Sequence, residues 1–308
     1  MEIRPPWLRR LAGDRTQGAT ALARLAAECL TSSLPKLSGD TLESFLAALL
    51  HLTLEMRKSQ PAMAPLFHLA NDALRAAENA KTRGTAPIRV RAAVRRFLVR
   101  QGALAAQAVR QALPLIPPGA TVLTHSASSL VETVLQRAAG KRRGMRSSSR
   151  IRVICTESRP AGEGSRLALR LARAQIPTTL LIDAAAGEAL AEADLFLVGA
   201  DSVTPKGLIH KVGTNALAGL ARGRGIPCYA VATSQKLLPE RYLLPTWNEA
   251  REASEVLGSS VPDLRVLNRP FDRTPWRRLS AVITEEGPLS KADVSRKLRE
   301  LRPALGWG

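Results

Sequence analysis

Residues 194–236 constrain the fold more than any other part of the chain. The apolar run at residues 195–198 predicts a buried strand, and the Gly-Ala-Asp sequence after it places Asp201 just past the strand end. A polar loop is expected next, then a helix opened by residues 211–214 and a second apolar strand at residues 228–232. Strand, helix and strand make a parallel crossover unit, and ligands of such sheets bind outside the carboxyl ends of the strands.

The start of this predicted helix has the composition of an anion site. Lys211, Gly213 and Thr214 stand where free backbone N–H groups and the helix dipole favour a phosphate. His210 precedes them and is expected to shape the same loop. An ordinary crossover, whose glycine and lysine serve only a turn and the solvent, has the same spacing and stays the alternative.

The chain changes character near residue 116. Residues 7–115 have apolar residues at helical spacing almost throughout, as in ATALARLAAECL. Beyond Pro117 short apolar runs alternate with helical patterns, which is typical of a mostly parallel sheet covered by helices. We therefore predict an α/β protein with a helical domain at residues 1–115 and a sheet domain at residues 116–308. The predicted strands are 121–124, 152–155, 178–182, 195–198 and 228–232, and the predicted helices are 128–137, 164–174, 214–222 and a closing helix after Ser290.

The chain is strongly basic. Its formal charge of +19 comes from 45 basic and 26 acidic residues, and 36 of the basic residues are arginines. Such a charge attracts polyanions, so weak nonspecific nucleic-acid binding is expected. Aromatic residues make up only 4% of the chain, which leaves no basic stripe interleaved with rings that could stack on bases. The densest basic run, at residues 141–150, has the composition of a loop.

Composition also excludes several classes of protein. No apolar run approaches the length of a membrane span, and the N-terminal residues lack the apolar core of a signal peptide. The three cysteines, Cys29, Cys155 and Cys228, lie far apart without metal-ligand spacing, which suits a reducing cytoplasm. We therefore expect a cytoplasmic protein with no membrane association and no metal site, and no motif indicates a cofactor.

Several predicted strand ends carry an ordered series of motifs. THS ends at Ser126, TESRP ends at Pro160, and GADS and HKVGT contain Asp201 and Lys211. Together with FDRTP and DRTQGATAL, these motifs resemble the superfamily of the alpha, beta and delta subunits of eukaryotic initiation factor 2B. That superfamily also contains methylthioribose-1-phosphate isomerase and ribose-1,5-bisphosphate isomerase. The resemblance covers essentially the whole chain, and it implies a Rossmann-like sheet domain and homodimers or higher homo-oligomers built through it.

The resemblance implies an acid–base pair at the sheet edge. In the isomerases a cysteine and an aspartate face an aldose 1-phosphate, whose ring oxygen must be protonated while a proton moves at carbon 2. Asp201 matches the aspartate, but Ser126 occupies the position of the cysteine. A serine hydroxyl holds its proton far more tightly than a thiol near neutral pH, which weakens the isomerase interpretation. Cys155, at another strand end, is the alternative thiol.

The positions expected to hold the substrate phosphate also depart from the isomerases. The isomerases carry one arginine before a Gly-Ala pair and another before a proline. Here the corresponding residues are Gln17, which precedes Gly18, and Gln60. Both supply neutral donors where a charged, forked donor is expected. Arg15 and Arg57 lie close by in sequence and are the alternative cations.

Residues 159–163 form a further candidate segment. Arg159 is predicted to contact the anion, with an ion pair to Glu157 as the alternative. Glu163 replaces a glutamine of the isomerases, and its carboxylate is unfavourable beside a phosphate unless a cation pairs with it.

These observations favour a ligand-binding protein whose isomerase chemistry is compromised. We predict an initiation-factor-2B-like protein that binds a phosphorylated sugar or nucleotide at the carboxyl edge of its sheet. The alternative is an aldose–ketose isomerase acting on a pentose 1-phosphate, with Asp201 and a replaced acid as its catalytic pair. A basic adaptor for RNA or ribosomes is a third hypothesis. The candidate ligand-binding residues are Gln17, Gly18, Gln60, Arg159, His210, Lys211, Gly213 and Thr214, and the candidate catalytic residues are Asp201 and Ser126.

Overall fold

The computed structural model describes residues 5–14, 16–37, 39–140, 150–259 and 262–307, which form ten α-helices and ten β-strands. Arg15 and most of the basic run, residues 141–149, lie outside the described residues. The helices are α1 (Pro6–Gly13), α2 (Ala19–Ser33), α3 (Leu42–Ser59), α4 (Ala64–Glu78), α5 (Ala86–Ala112), α6 (Ser129–Gly140), α7 (Glu163–Arg173), α8 (Ala186–Ala189), α9 (Thr214–Gly223) and α10 (Lys291–Glu300). The strands are β1 (Thr121–Thr124), β2 (Arg152–Thr156), β3 (Thr178–Leu181), β4 (Leu195–Val198), β5 (Ser202–Thr204), β6 (Gly207–Lys211), β7 (Cys228–Val231), β8 (Phe271–Thr274), β9 (Ala281–Thr284) and β10 (Gly287–Leu289).

A seven-stranded sheet forms the centre of the second half of the chain. Its strand order is β10-β9-β7-β4-β1-β2-β3, and every pair is parallel except β9 with β10. The predicted mostly parallel α/β fold is therefore confirmed. The central strands β1 and β4 are buried along their whole length, as expected of apolar strands covered by helices on both faces.

A second, antiparallel sheet of order β5-β6-β8 lies beside the large one. The prediction of a polar loop after residue 201 was wrong, because residues 202–211 form a hairpin that pairs with β8. The turn between its strands uses Gly207 at a φ of +144°, where an added Cβ would meet the Thr274 carbonyl oxygen at 2.3 Å. The crossover unit itself is confirmed, since β4 pairs in parallel with β7 and α9 lies between them in the chain.

Helices α1 to α5 precede the first strand and enclose a core that includes Phe45, Met56 and Leu66, to which Ile209 of β6 and Phe271 of β8 also contribute. Helix α5 contributes to two cores. Val94 and Phe97 pack in the helical core, whereas Ala108 and Val109, near the other end of the helix, pack against the large sheet. The division of the chain at residue 115 stays a prediction.

Local signals fix two of the helix starts. Thr41 and Ser44 form a reciprocal capping box at α3, and Ser290 and Asp293 form one at α10. The predicted capping of the closing helix by Ser290 is confirmed. None of the described helices combines the length and the apolar character needed to cross a membrane.

Candidate ligand-binding site

A cavity of about 200 Å³ lies at the carboxyl edge of the large sheet. Residues that closely follow β1, β4 and β7 form one side, and the start of α2 with the segment before α4 forms the other. Three helices begin at the cavity wall, through Ala19 of α2, Ser129 of α6 and Glu163 of α7. Their N-termini present backbone N–H groups and positive dipole ends, an arrangement that favours a bound anion.

Asp201 lies just past the end of β4, as predicted, and lines the cavity. Its backbone N–H donates to the Ile209 carbonyl at 3.0 Å, and its carbonyl accepts from the Ala64 N–H at 3.1 Å. Its carboxylate forms no hydrogen bond or ion pair with any described residue. Burial raises the pKa of Asp201, while the nearby positive charge of Lys236 opposes that shift. This carboxylate is therefore open to a ligand.

Lys236 is a site residue that the sequence reasoning missed. It follows β7 at the same sheet edge, it is only 5% exposed, and it lines the cavity. Its Nζ donates to the Ala200 carbonyl at 2.6 Å. Burial lowers the pKa of Lys236 to about 8, although the Asp201 carboxylate raises it. The position of TSQK directly after a predicted strand was the available signal.

His210 lines the cavity as a neutral acceptor. Thr214 Oγ1 donates its single proton to the Lys211 carbonyl at 2.6 Å, so His210 Nδ1 must donate to Thr214 Oγ1 across 3.0 Å. That assignment leaves His210 Nε2 without a proton. Burial lowers the pKa of His210 well below 6.5, and the cations Lys236 and Lys211 add to the effect.

Lys211 and Glu163 form a buried ion pair in the cavity wall. The Lys211 Nζ lies 2.8 Å from Glu163 Oε1, and the two side chains are only 7% and 16% exposed. The second oxygen, Glu163 Oε2, is buried and has no hydrogen-bond partner among the described residues. Lys211 is therefore not the solvated surface lysine of the alternative interpretation, and Glu163 has the cation that its position requires.

Ser126 lines the cavity in a strained backbone conformation. Its φ is +68°, unusual for a residue with a side chain, and its N–H donates to Ser158 Oγ at 2.8 Å. Ser158 also has a positive φ of +64°. The N–H bond to Ser158 holds the backbone of Ser126 in place. The Ser126 hydroxyl bonds no described residue, so it stays open to the cavity.

Next to Ser126, His125 holds the strand ends together. Its Nε2 can only donate to the Val212 carbonyl, 2.8 Å away, so its Nδ1 accepts from Thr156 Oγ1 at 2.6 Å. Burial lowers the pKa of His125, and we read the ring as a neutral structural link between β1, β2 and the start of α9.

Cys155 does not lie in the cavity. Its side chain is fully buried in the core between the sheet and its helices, and burial raises its pKa to about 12. A thiol in this environment neither reaches a ligand nor ionises near neutral pH. Cys155 therefore cannot replace the cysteine of the isomerases at this site.

Gln17, Gly18 and Gln60 line the cavity, but both glutamine amides are engaged by the protein. Gln17 Nε2 donates to Asp14 Oδ2 at 2.7 Å, and Gln60 Nε2 donates to the carbonyls of Leu11 and Asp14. No side chain caps α2, whose N-cap is Gly18. The free N–H groups at the start of α2 are therefore better placed than either amide to meet an anion.

Arg57, one of the two alternative cations, points into an aromatic cluster rather than into the cavity. Its guanidinium lies 5.1 Å from the Phe67 ring and 4.7 Å from the Trp307 ring, and it donates to the Tyr242 carbonyl. Burial lowers the pKa of Arg57 to about 10. The other alternative, Arg15, lies outside the described residues.

Three further candidates lie outside the lining of the cavity. Arg159 is exposed, and its guanidinium donates to the Val256 carbonyl at 3.2 Å. The start of α9, at Gly213 and Thr214, already holds an anion of the protein, because the Asp272 carboxylate accepts from the Gly213 N–H at 2.8 Å. Arg159, Gly213 and Thr214 therefore do not line the cavity.

The chain belongs to the initiation factor 2 subunit family, whose sequence profile matches residues 15–291. A relative from Pyrococcus horikoshii, described as eIF-2B subunit 2-like, is 31% identical over 91% of this chain and 94% of its own length. The ribose 1,5-bisphosphate isomerase of Haloferax volcanii is 29% identical over 96% and 93%. The methylthioribose-1-phosphate isomerase of Geotalea uraniireducens is 31% identical over 94% and 88%.

Solved structures agree with this assignment. The crystal structure of the Pyrococcus horikoshii translation initiation factor eIF-2B superposes with a TM-score of 0.77 and 29% identity, covering 92% of this chain and 94% of that one. A subunit of the tetrameric eIF2B-β2δ2 complex from Chaetomium thermophilum has the same fold at 18% identity, with a TM-score of 0.72 over 95% of this chain and 92% of that one. That neighbour is thus part of a tetramer.

Proposed function

We propose that this protein binds a phosphorylated sugar or nucleotide in the cavity at the sheet edge and acts as a regulatory member of its family. The observation that carries the proposal is the convergence of three helix N-termini on a cavity that holds the open groups Asp201 and Ser126. A phosphate meets free N–H groups at the uncapped start of α2. The volume of about 200 Å³ is below the roughly 300–1,000 Å³ of typical small-molecule sites, which favours a sugar phosphate over a whole nucleotide.

Calorimetric titration of the pure protein with ribose-1-phosphate tests this proposal. We expect saturable binding that weakens at least tenfold in Lys236→Met, because that lysine is buried in the cavity wall. Lys206→Met removes the same charge from a side chain that is 68% exposed and is the matched control. Absence of binding by the unaltered protein to any sugar phosphate or nucleotide would refute the proposal.

A second candidate function is an aldose–ketose isomerase acting on a pentose 1-phosphate. The open Asp201 carboxylate and the Lys236 ammonium line the same cavity. Burial raises the pKa of Asp201 and lowers the pKa of Lys236, so both values move toward neutral pH. In such a reaction the ammonium gives its proton to the ring oxygen as the bond from that oxygen to carbon 1 breaks, and Asp201 takes the proton from carbon 2. A proton returned to carbon 1 and one lost from the carbon 2 hydroxyl complete the ketose.

A time course by phosphorus and carbon NMR separates the two functions. The substrates are ribose-1,5-bisphosphate, methylthioribose-1-phosphate and ribose-1-phosphate. Ketose formation that disappears in Asp201→Asn would establish the isomerase and exclude a purely regulatory role. Unchanged substrate over hours at several pH values, with binding intact, would exclude the isomerase.

The assembly and location belong to the same proposal. A homodimer or higher homo-oligomer is supported by the tetramer to which the Chaetomium thermophilum neighbour belongs, and sedimentation of the pure protein tests it. A cytoplasmic location is supported by the three free cysteines, of which Cys155 and Cys228 are buried.

A further inference from the structure

The cavity has no excess of basic residues among its described lining residues, although the protein carries a formal charge of +19. Among its described lining residues there are four lysines or arginines and five aspartates or glutamates. Two of the cations are paired within the wall. Lys211 lies 2.8 Å from Glu163, and Arg170 lies 2.9 Å from Glu132. A phosphate group carries about −1.5 to −2 charges at neutral pH. The wall therefore offers too little positive charge to balance two phosphate groups.

Lys211 is committed to Glu163. The Lys211 side chain is buried and the Glu163 side chain is 16% exposed. Glu163 Oε2 is buried and has no hydrogen-bond partner among the described residues, so the carboxylate depends on Lys211. A phosphate that drew Lys211 away would leave a buried, unpaired carboxylate beside its own negative charge. Glu163 thus repels an anion near α7 and engages Lys211.

The open atoms near Glu163 match hydroxyl groups better than a phosphate. The Asp201 carboxylate and His210 Nε2 accept hydrogen bonds, and Ser126 Oγ both accepts and donates. Sugar hydroxyls supply the protons that these acceptors need, whereas a phosphate brings further acceptors. At the start of α2, whose N-cap is Gly18, no side chain caps the helix, so its first N–H groups are free donors. The Asp14 carboxylate accepts from the N–H groups of Thr16 and Gln17, just before this helix.

We infer that Glu163 is a specificity determinant, which restricts the ligand to a sugar with a single phosphate and excludes a sugar bisphosphate. The phosphate lies at the start of α2, and the hydroxyl-bearing ring faces Asp201 and His210. This inference rests on the proposed function, because it specifies the ligand of the same cavity.

Calorimetric titrations with ribose-1-phosphate, ribose-5-phosphate and ribose-1,5-bisphosphate test the inference on the full chain. We expect the unaltered protein to bind one of the monophosphates at least tenfold more tightly than the bisphosphate. Glu163→Gln frees Lys211 and should raise the affinity for the bisphosphate at least tenfold. Glu192→Gln makes the same change of charge at an exposed position and should keep the original preference.

A double variant, Glu163→Gln with Lys211→Met, removes both charges and guards against misfolding of the single variant. The double variant should bind the bisphosphate at least tenfold more weakly than Glu163→Gln does. If Glu163→Gln does not fold, the double variant is compared with the unaltered protein instead, and its affinity for the bisphosphate should be no higher. Bisphosphate binding by the unaltered protein as tight as monophosphate binding would overturn the inference and leave the proposed function standing. Failure of all three ligands to bind would instead refute the proposed function.

Discussion

The Oδ2 atom of Asp272 accepts a hydrogen bond from the backbone N–H of Gly213 at 2.8 Å and thereby closes the N-terminus of α9. The same oxygen accepts from the Asn215 N–H at 3.0 Å. The other carboxylate oxygen is buried without a hydrogen-bond partner among the described residues. A helix start that the sequence suggested for a bound phosphate is thus occupied by a carboxylate of the chain.

We expect Asp272 to make stability depend on pH. Burial raises the pKa of Asp272 from 3.8 to about 6, so the folded protein takes up this proton at a higher pH than the unfolded chain does. Its contribution of about 3 kcal/mol is therefore fully present below about pH 4 and is lost as the pH rises through about 6. Urea unfolding between pH 4 and 7 measures this loss. Asp272→Asn should remove it, and an unaltered pH dependence in that variant would contradict the assignment.

Lys236 should titrate near pH 8 rather than near 10.5, because burial disfavours its charged form. The pH profile of its acetylation by acetic anhydride, followed by mass spectrometry, gives the midpoint directly. In Asp201→Asn the midpoint should fall further, since the Asp201 carboxylate raises the pKa of Lys236. A midpoint above pH 10 would contradict this prediction. Saturation with a bound sugar phosphate should protect Lys236.

Ser126→Cys tests whether the missing thiol is what compromises the isomerase chemistry. The backbone of Ser126 is already held at a φ of +68° by its N–H contact with Ser158, so a cysteine fits without a change of fold. We expect turnover of methylthioribose-1-phosphate to rise at least about a hundredfold, the lower end of the roughly 10²–10⁴-fold that a positioned acid or base supplies. Ser129→Cys, also at the cavity wall, should show no such gain. If Ser126→Cys stays inactive, another departure disables the reaction.

Trp307→Ala should destabilise the protein by about 2–3 kcal/mol. The change removes a ring that lies 4.7 Å from the Arg57 guanidinium, and it removes the donor to Asn71 Oδ1 at 3.1 Å. Leu305 belongs to the same segment and is 86% exposed, so Leu305→Ala should change the free energy of unfolding by less than about 0.5 kcal/mol. Equal losses in the two variants would show that the cluster around Arg57 contributes no specific stability.

The sequence predicted the central strands well for a physical reason. Strands β1, β2, β3, β4 and β7 are short apolar runs flanked by turn residues, and their observed bounds lie within one residue of the prediction. Strands β5 and β6 were not predicted, because their buried residues include polar ones, such as Ser202 and His210, which interrupt the apolar pattern. The pairing of β6 with β8 joins segments far apart in the chain.

The candidate site was predicted only in part. Strand-end position was enough to place Asp201 and Ser126 at the cavity, because carboxyl ends of parallel strands meet at one edge. The pairing of Lys211 with Glu163 depends on how two distant segments approach, and no local pattern encodes it. The same holds for Asp272, which reaches α9 from β8.

Helix α5 packs Phe97 into the helical core and Val109 against the large sheet. A gene fragment that stops at residue 115 would leave part of the hydrophobic surface of α5 without its sheet, and a fragment that starts there would leave the sheet without that cover. We therefore expect that neither fragment folds independently into a soluble domain. Insertions or fusions made to dissect this protein should accordingly be placed at exposed turns, with α5 kept whole.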